Sequence, residues 1–570
     1  MNAPTKPVPR APPDGVRTNA PRRARVAAVI IALATAAAIY RNDPDLTGVH
    51  AMAVTAALIA IFAFVTRRAV LSATLAAAVV LFVLAVAYIK LQRTNFILHA
   101  WDLFDTGVWR FSVADIAREF PLATGAAALA LLTLALAPIV SALREAPNIR
   151  RIPALAAFVA LAIAGVVISR LEGGPRHMQY TLPDQHVSSF YSSWPEAIET
   201  LVRGQLIDAA PGPLAAFDPA PACAPQDKPP HIILIHQESV TPPAPLKGLD
   251  YDRTLDSFFK SHDGKSHAMR VETYGGASWL TEFSVLTGAA SRFFGSIRHF
   301  VQIYMAGRMD DALPTVLSRC GYTNMMFYPF LKGFFGSARF FETVGLSQIY
   351  DAREQKSVNP MESDSFYYAN MLAEIGRRME RKEGPLFIYL QTMAAHWPYD
   401  VTYWPERNVK GGGPGTQREM NEFLRRLAMA KEDYAALLKE LARRFPNERF
   451  LIVHYGDHQP LATRFFFGFD AEEIERINET LPDASPAFVT YFAVDGVNYA
   501  PPALPNIETI DSAYLGAVIL EQAQLPLPPS WSERARLMRG CDGRYALCPD
   551  RQSILQFHRR LIDSGLLIAR

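Results

Sequence analysis

Five apolar runs precede residue 171, at 24–40, 49–66, 69–89, 121–143 and 153–169. Arg25 stands at the edge of the first; otherwise the runs hold no Lys, Arg, Asp or Glu. Each is close to the ~20 residues that cross a hydrocarbon core of ~30 Å as a helix. Buried core helices of a water-soluble protein are the weaker reading, because five such runs follow one another. The first run has no obvious cleavage site and is followed by four more, so it reads as an anchor and not as a removed leader.

Loop charges give the expected orientation. Lys6, Arg10, Arg17, Arg22 and Arg23 precede the first run. Arg67 and Arg68 separate the second and third, and Arg144, Arg150 and Arg151 separate the fourth and fifth. These loops belong inside by the positive-inside rule. The loop at 41–48 has one Arg against two Asp and belongs outside. Segment 90–120 must lie outside too, yet it holds Lys90, Arg93, Arg110 and Arg118. Its acids (Asp102, Asp105, Asp115, Glu119) and aromatics (Trp101, Phe104, Trp109, Phe111) suggest an amphipathic piece on the membrane face. Five crossings from an inside N-terminus place everything after Ser169 outside the cytoplasm.

The net charge of +2 gives no bulk argument for a nucleic-acid partner. All four cysteines, Cys223, Cys320, Cys541 and Cys548, fall in the exported part, which fits disulfides. Cys541–Cys548 is the favoured pair and Cys223–Cys320 the remaining one. There is no CxxC, which disfavours a zinc knuckle.

The exported part begins with a short helical connection and a Pro/Ala-rich linker, 171–230. From His231 onward, strand-like runs at 231–236, 323–330, 385–392, 449–455 and 487–494 alternate with helical segments at 278–287, 309–319, 363–381 and 416–445. That alternation argues for an α/β domain with a mainly parallel sheet. In such sheets ligands sit beyond the carboxyl ends of the strands.

Chemistry-bearing residues collect at those ends. "HIILIHQES" ends in Glu238, "PLFIYLQTMAAHWP" delivers His396, and "RFLIVHYGDH" ends in Asp457 and His458. Carboxylates with an imidazole suit one divalent ion such as zinc or manganese. "YGGASWLTEFSVLTG" offers a hydroxyl: Gly275-Gly276 permits a tight turn, and Ser278 begins a helix that Gly288 would stop. A helix start favours anions through its free N–H groups and dipole. The bland alternative for Ser278 is a plain N-cap. His454, alternating along its strand, reads as a packed or supporting residue. The Gly-rich 409–417 segment reads as a surface loop, with a mobile lip over the site as the alternative.

The set "HQES", "GGASWLTEF", "AAHWPY" and "YGDH" behind five apolar runs resembles the lipoteichoic acid synthase and phosphoglycerol transferase family of the alkaline phosphatase–sulfatase superfamily. The resemblance implies a disordered cytoplasmic tail (1–23), a five-helix transmembrane bundle (24–170), the 171–230 connection, and an extracytoplasmic α/β domain of sulfatase type (231–570) with a mainly parallel sheet. It implies a multi-pass protein of a bacterial-type inner membrane. Glu238, Asp457 and His458 match the family's metal ligands. Ser278 matches its metal-bound nucleophile, usually Thr, and His396 its substrate-binding, acid/base histidine. Arg339 is the candidate for a further substrate contact, with Lys332 as alternative.

The implied activity moves a phospho-head-group, phosphoglycerol first, from a phospholipid donor to an extracytoplasmic glycan or polymer through a covalent Ser278 intermediate. The metal is zinc or manganese, undecided. A phosphoethanolamine transferase, a sulfatase-like hydrolase and a non-catalytic membrane binding protein are the alternatives. Sulfate-ester hydrolysis is disfavoured because Ser278 is followed by "WLTE" and not by the Cys/Ser-x-Pro-x-Arg pattern.

Overall fold

The uncharged apolar runs form helices, since in a helix every interior backbone group is satisfied within its own segment. A computed structural model of the chain describes residues 20–94, 97–103, 113–171, 186–224, 228–332, 334, 337–359, 361–407, 409, 417–470, 477–478 and 480–569. The chain divides into two units, 1–103 with 110–195 and 104–109 with 196–570. Of the expected features, the tail up to residue 19, the 104–112 part of the amphipathic segment and residues 410–416 of the Gly-rich loop lie outside the described residues.

The first unit holds α1 (Ala20–Asn42), α2 (Asp45–Thr66), α3 (Ala69–Thr94), α4 (Val113–Glu119), α5 (Pro121–Arg144), α6 (Arg151–Leu171) and α7 (Val187–Ser192). Five of these, α1, α2, α3, α5 and α6, are long and apolar enough to cross a membrane. Two sets of loops mark its two ends. At one end the Glu145 carboxylate caps the start of α3, accepting from Val70 N at 2.9 Å and Leu71 N at 3.1 Å. Arg68 Nε reaches back to Glu145 O at 2.7 Å, and Asn148 N donates to Arg67 O at 2.8 Å. The two Arg-rich loops thus share one end. At the other end Asp43 accepts from Val187 N at 3.0 Å and from Ser188 Oγ at 2.6 Å, and Ser189 Oγ donates to Leu98 O at 3.0 Å. Lys90, the charge that sat badly with the orientation rule, is buried against Asp102 at 2.6 Å and donates to Ile97 O at 2.7 Å. Its charge is neutralised within its own segment.

After α8 (Trp194–Arg203), the second unit builds one eight-stranded sheet. Its strands are β1 (His231–Gln237), β2 (His267–Arg270), β3 (Thr323–Phe327), β4 (Gln348–Tyr350), β5 (Leu386–Gln391), β6 (Phe450–Gly456), β7 (Val489–Val497) and β8 (Thr509–Asp511). The order is β4-β3-β5-β1-β6-β7-β2-β8. The five strands from β4 to β6 are parallel, and β7 runs antiparallel to both neighbours. The sheet is mainly parallel, as expected, and each of the five strand-like runs contains a strand. The short β2, β4 and β8 went unread in the sequence.

Among the described residues the helices are α9 (Ser278–Thr287), α10 (Val301–Met305), α11 (Leu313–Arg319), α12 (Ala338–Thr343), α13 (Asp364–Glu380), α14 (Arg418–Arg444), the short Arg464–Phe467 and three more after residue 514. Every residue of β1, β5 and β6 is buried. Ile233 and Ile235 of β1 join Leu390, Ile452, Met371 of α13 and Phe423 of α14 in one core. Strand alternation turns the intervening positions, including His236 and Glu238, to the opposite face.

Both expected disulfides are present, Cys223–Cys320 and Cys541–Cys548. They span 97 and 7 residues of sequence. Loop-closure entropy gives about 4.7 kcal/mol for the first and about 2.4 kcal/mol for the second. Replacing Cys223 and Cys320 by Ser is expected to lower the thermal midpoint of the detergent-solubilised protein more than replacing Cys541 and Cys548. A thermal-shift measurement on the two double variants checks the order.

Candidate active site

Residue alternation makes β1 a ligand strand. His236 and Glu238 are two apart, so both project from the same face at its carboxyl end. β1 pairs with β6 in parallel, with Gln237 opposite Gly456, which brings Asp457 and His458 alongside. Gly456 is required there: a Cβ at this position would stand 1.9 Å from Val240 O. The backbone of β6 and the turn after Glu238 are thus in direct contact.

The four side chains converge. His236 Nε2 lies 3.2 Å from Asp457 Oδ2 and 3.5 Å from Glu238 Oε2. His458 Nε2 lies 3.2 Å from Glu238 Oε1 and 3.3 Å from Asp457 Oδ2. All four residues are buried. Even so, His236 Nε2, Asp457 Oδ2 and His458 Nε2 have no hydrogen-bond partner among the described residues. Buried polar atoms are nearly always bonded, because an unsatisfied one costs ~1–3 kcal/mol. Three of them in one cluster fit the donor set of a divalent cation. One ligand atom each from His236, Glu238 and Asp457 lies within 4.8 Å of the others.

The remaining polar atoms hold this orientation. His236 Nδ1 is 3.1 Å from Tyr389 Oη and 3.3 Å from Glu282 Oε1. Tyr389 donates to Glu282 at 3.1 Å, and Gln302 Nε2 reaches the other Glu282 oxygen at 3.1 Å. His458 Nδ1 is 3.0 Å from Gln459 O. Each imidazole can donate from Nδ1 to these acceptors, leaving Nε2 bare for a metal. Ser239 N donates to Asp457 Oδ1 at 2.8 Å and Gln391 Nε2 to Glu238 Oε2 at 3.1 Å.

Ser278 is the first residue of α9, and Ala277 holds the N-cap position in a left-handed conformation, φ 63°. The hydroxyl makes no cap; it donates to Glu238 Oε2 at 3.0 Å. The plain N-cap alternative therefore fails. Ala277 and Ser239 (φ 59°) are non-glycine left-handed residues flanking the site, at a cost of roughly 1–2 kcal/mol each. Gly288 stops α9 as expected, with φ 64°.

Electrostatics follow from this crowding. Burial pushes the Glu238 carboxyl up, but the His236 and His458 imidazoles beside it, and the charge of His396, hold it well below the usual carboxylate range. Burial alone would lower His458; the Asp457 and Glu238 carboxylates prevail and raise it to about 9. His236 is likewise raised against its burial, by Tyr455, Asp457 and Glu238.

The other expected residues stand apart from this cluster. His396 is half-buried on the loop after β5, close enough for its charge to act on Glu238. His454 is a packed residue: burial lowers it to about 3, and its Nδ1 lies 2.9 Å from Tyr491 Oη. Lys332 pairs with Glu354 at 3.0 Å on the surface, and Arg339 is exposed on α12. Among the described residues neither is recorded in contact with the four-residue cluster. His236 and Glu282 were missed in the sequence. The signal for His236 was its place two residues before Glu238.

Residues 265–475 match the family model described as Sulfatase. An uncharacterized protein of Haemophilus influenzae (strain ATCC 51907 / DSM 11121 / KW20 / Rd) is 24% identical over 353 residues, 60% of this chain and 60% of that protein. The match thus spans less than two thirds of the relative. Solved structures with similarity include phosphoglycerol transferase GacH of Streptococcus pyogenes in complex with sn-glycerol-1-phosphate, at 18% identity, TM-score 0.47, over 60% of this chain and 87% of that one. Lipoteichoic acid synthase LtaP of Listeria monocytogenes matches at 16% identity, TM-score 0.39, over 52% and 72%. Lipooligosaccharide phosphoethanolamine transferase A (EptA) of Neisseria meningitidis matches at 11% identity, TM-score 0.39, over 89% and 95%.

A cation held by His236 and His458 would have to displace protons from them, since their neighbours raise both imidazoles. Affinity for zinc or manganese is expected to rise as pH rises toward about 9, the value to which His458 is raised. Calorimetry in buffers of different ionisation enthalpy should detect the released protons. Glu282→Gln is expected to weaken binding about 10–100-fold, read by competition with a chromophoric chelator.

Proposed function

We propose that the chain, in which residues 265–475 match the Sulfatase family model and follow five helices long and apolar enough to span a membrane, is a membrane-anchored, metal-dependent phosphotransferase of the alkaline phosphatase superfamily. It moves a phospho-head-group, phosphoglycerol first, from a phospholipid to an extracytoplasmic glycan or polymer. The observation that carries the proposal is the Ser278 hydroxyl 3.0 Å from Glu238, within a cluster whose His236, Asp457 and His458 lone pairs are unpartnered.

His236, Glu238, Asp457, His458 and the Ser278 hydroxyl would hold one divalent ion, and two imidazoles with two carboxylates suit zinc or manganese. The bound ion would lower the hydroxyl pKa and neutralise phosphoryl charge. Ser278 Oγ attacks phosphorus after its proton passes to solvent, and the bond from phosphorus to the diacylglycerol oxygen breaks. His396 gives that oxygen a proton. An acceptor hydroxyl then surrenders its proton to His396 and attacks the phospho-Ser278 ester, freeing the serine oxygen. The start of α9 adds its dipole to hold the anionic group. Arg339 and Lys332 remain candidate substrate contacts.

A cysteine-derived sulfatase nucleophile is unsupported, because all four cysteines are in disulfides. Membrane anchoring suits a lipid donor, which reaches the site by lateral diffusion at the outer leaflet.

Mass spectrometry of the purified chain after incubation with phosphatidylglycerol and phosphatidylethanolamine is expected to find glycerol phosphate on Ser278. Ser278→Ala should lose the adduct while keeping the metal, since four ligands remain. An ethanolamine phosphate adduct would replace the head group proposed here. An adduct that survives in Ser278→Ala would place the nucleophile elsewhere.

A further inference from the structure

Arg426 sits a third of the way along α14, fully buried, and directs most of its guanidinium donors to one short loop. Nη1 donates to His396 O at 2.6 Å; Nη2 donates to Pro398 O at 2.7 Å and to Val401 O at 2.6 Å. Nε donates to Glu422 Oε1 at 2.8 Å, one turn earlier on the same helix. The guanidinium carbon also lies 5.3 Å from the Tyr399 ring centre and 5.1 Å from that of Tyr403. Tyr399 Oη donates back to Ala395 O at 2.8 Å.

Burying a guanidinium costs several kcal/mol unless its donors are met, so an arrangement this complete constrains whatever it holds. What it holds is the backbone around His396. The imidazole Nδ1 contacts Trp397 O, which fixes the ring's orientation. Arg426 grips the carbonyls on either side of that acceptor, at 396 and 398. A planar fork can reach three carbonyls from one point, whereas an ammonium lacks that geometry.

We propose that Arg426, anchored by Glu422, is a positioning residue that fixes the imidazole of His396 toward the leaving oxygen. This rests on the reading of His396 as the group that protonates that oxygen. Arg426 touches no substrate; it acts through the 396–401 backbone. Its loss should lower the rate of the chemical step with KM little changed.

The test uses the full chain in detergent, loaded with zinc, and single-turnover labelling of Ser278. Two donors are compared: phosphatidylglycerol, whose alkoxide must be protonated, and the 4-nitrophenyl ester of glycerol phosphate, whose phenolate leaves unaided. Arg426→Lys and His396→Ala are each expected to slow the lipid reaction by about tenfold or more and the nitrophenyl reaction by no more than about threefold, part of the ~10²–10⁴ that general acid catalysis supplies. The double variant should be no slower than His396→Ala alone. Losses that multiply in the double variant, or full lipid activity in Arg426→Lys, overturn the positioning role. If His396→Ala slows both donors equally, the acid role of His396 falls instead, and the double variant still decides whether Arg426 acts through it. Should Arg426→Lys fail to fold, Glu422→Gln, which keeps the guanidinium and removes its anchor, enters the same cycle. Loss of bound zinc in both variants marks Arg426 as fold support only, and the proposal is withdrawn.

Discussion

Two carboxylates and two imidazoles meet, buried, at the carboxyl ends of β1 and β6. That meeting is the constraint to which the rest of the domain answers. Like charges cannot be packed side by side without a counter-charge, so Glu238 and Asp457 need either protons on the imidazoles or a cation. The surrounding structure supports this crowding. Gly456 lets two backbones touch, Ala277 and Ser239 accept a left-handed conformation, and Glu282 with Tyr389 fixes the ring of His236. A sheet buried on both faces gives ligands a rigid base, which mobile loops would not provide.

Much of this was legible in the chain, and the limits have physical causes. The strands carrying the site are long, continuous apolar runs, so β1, β5 and β6 could be found and their ends searched. Glu238, Asp457 and His458 were visible because each follows directly on such a run. His236 was hidden because it lies inside the run, where an imidazole passes for a buried strand residue. Only the pairing with β6 turns that position into a meeting point. Glu282 was hidden for another reason: it lies on α9, and helix periodicity does not say which strand the helix covers. The direction of β7 was equally unreadable, since apolar runs carry no polarity. β2, β4 and β8 are three or four residues long, too short for any period to show.

The membrane-spanning part follows a simpler logic, and its one anomaly has a local cause. Lys90 stands where loop-charge rules expect few cations, and Asp102 neutralises it within the same connecting segment. The two loops richest in arginine are tied to each other through Glu145 and Asn148. Charge counting alone could place these loops on one side; the hydrogen bonds place them at one end of one bundle.

The bond between Cys223 and Cys320 encloses β1 and α9, and with them Glu238 and Ser278. A reducing cytoplasm keeps thiols apart, so this enclosure closes only in an oxidising space. Closure of the frame around β1 and α9 is thereby tied to oxidising surroundings. A reduced chain would carry the same side chains and still lack the crosslink that ties down their frame.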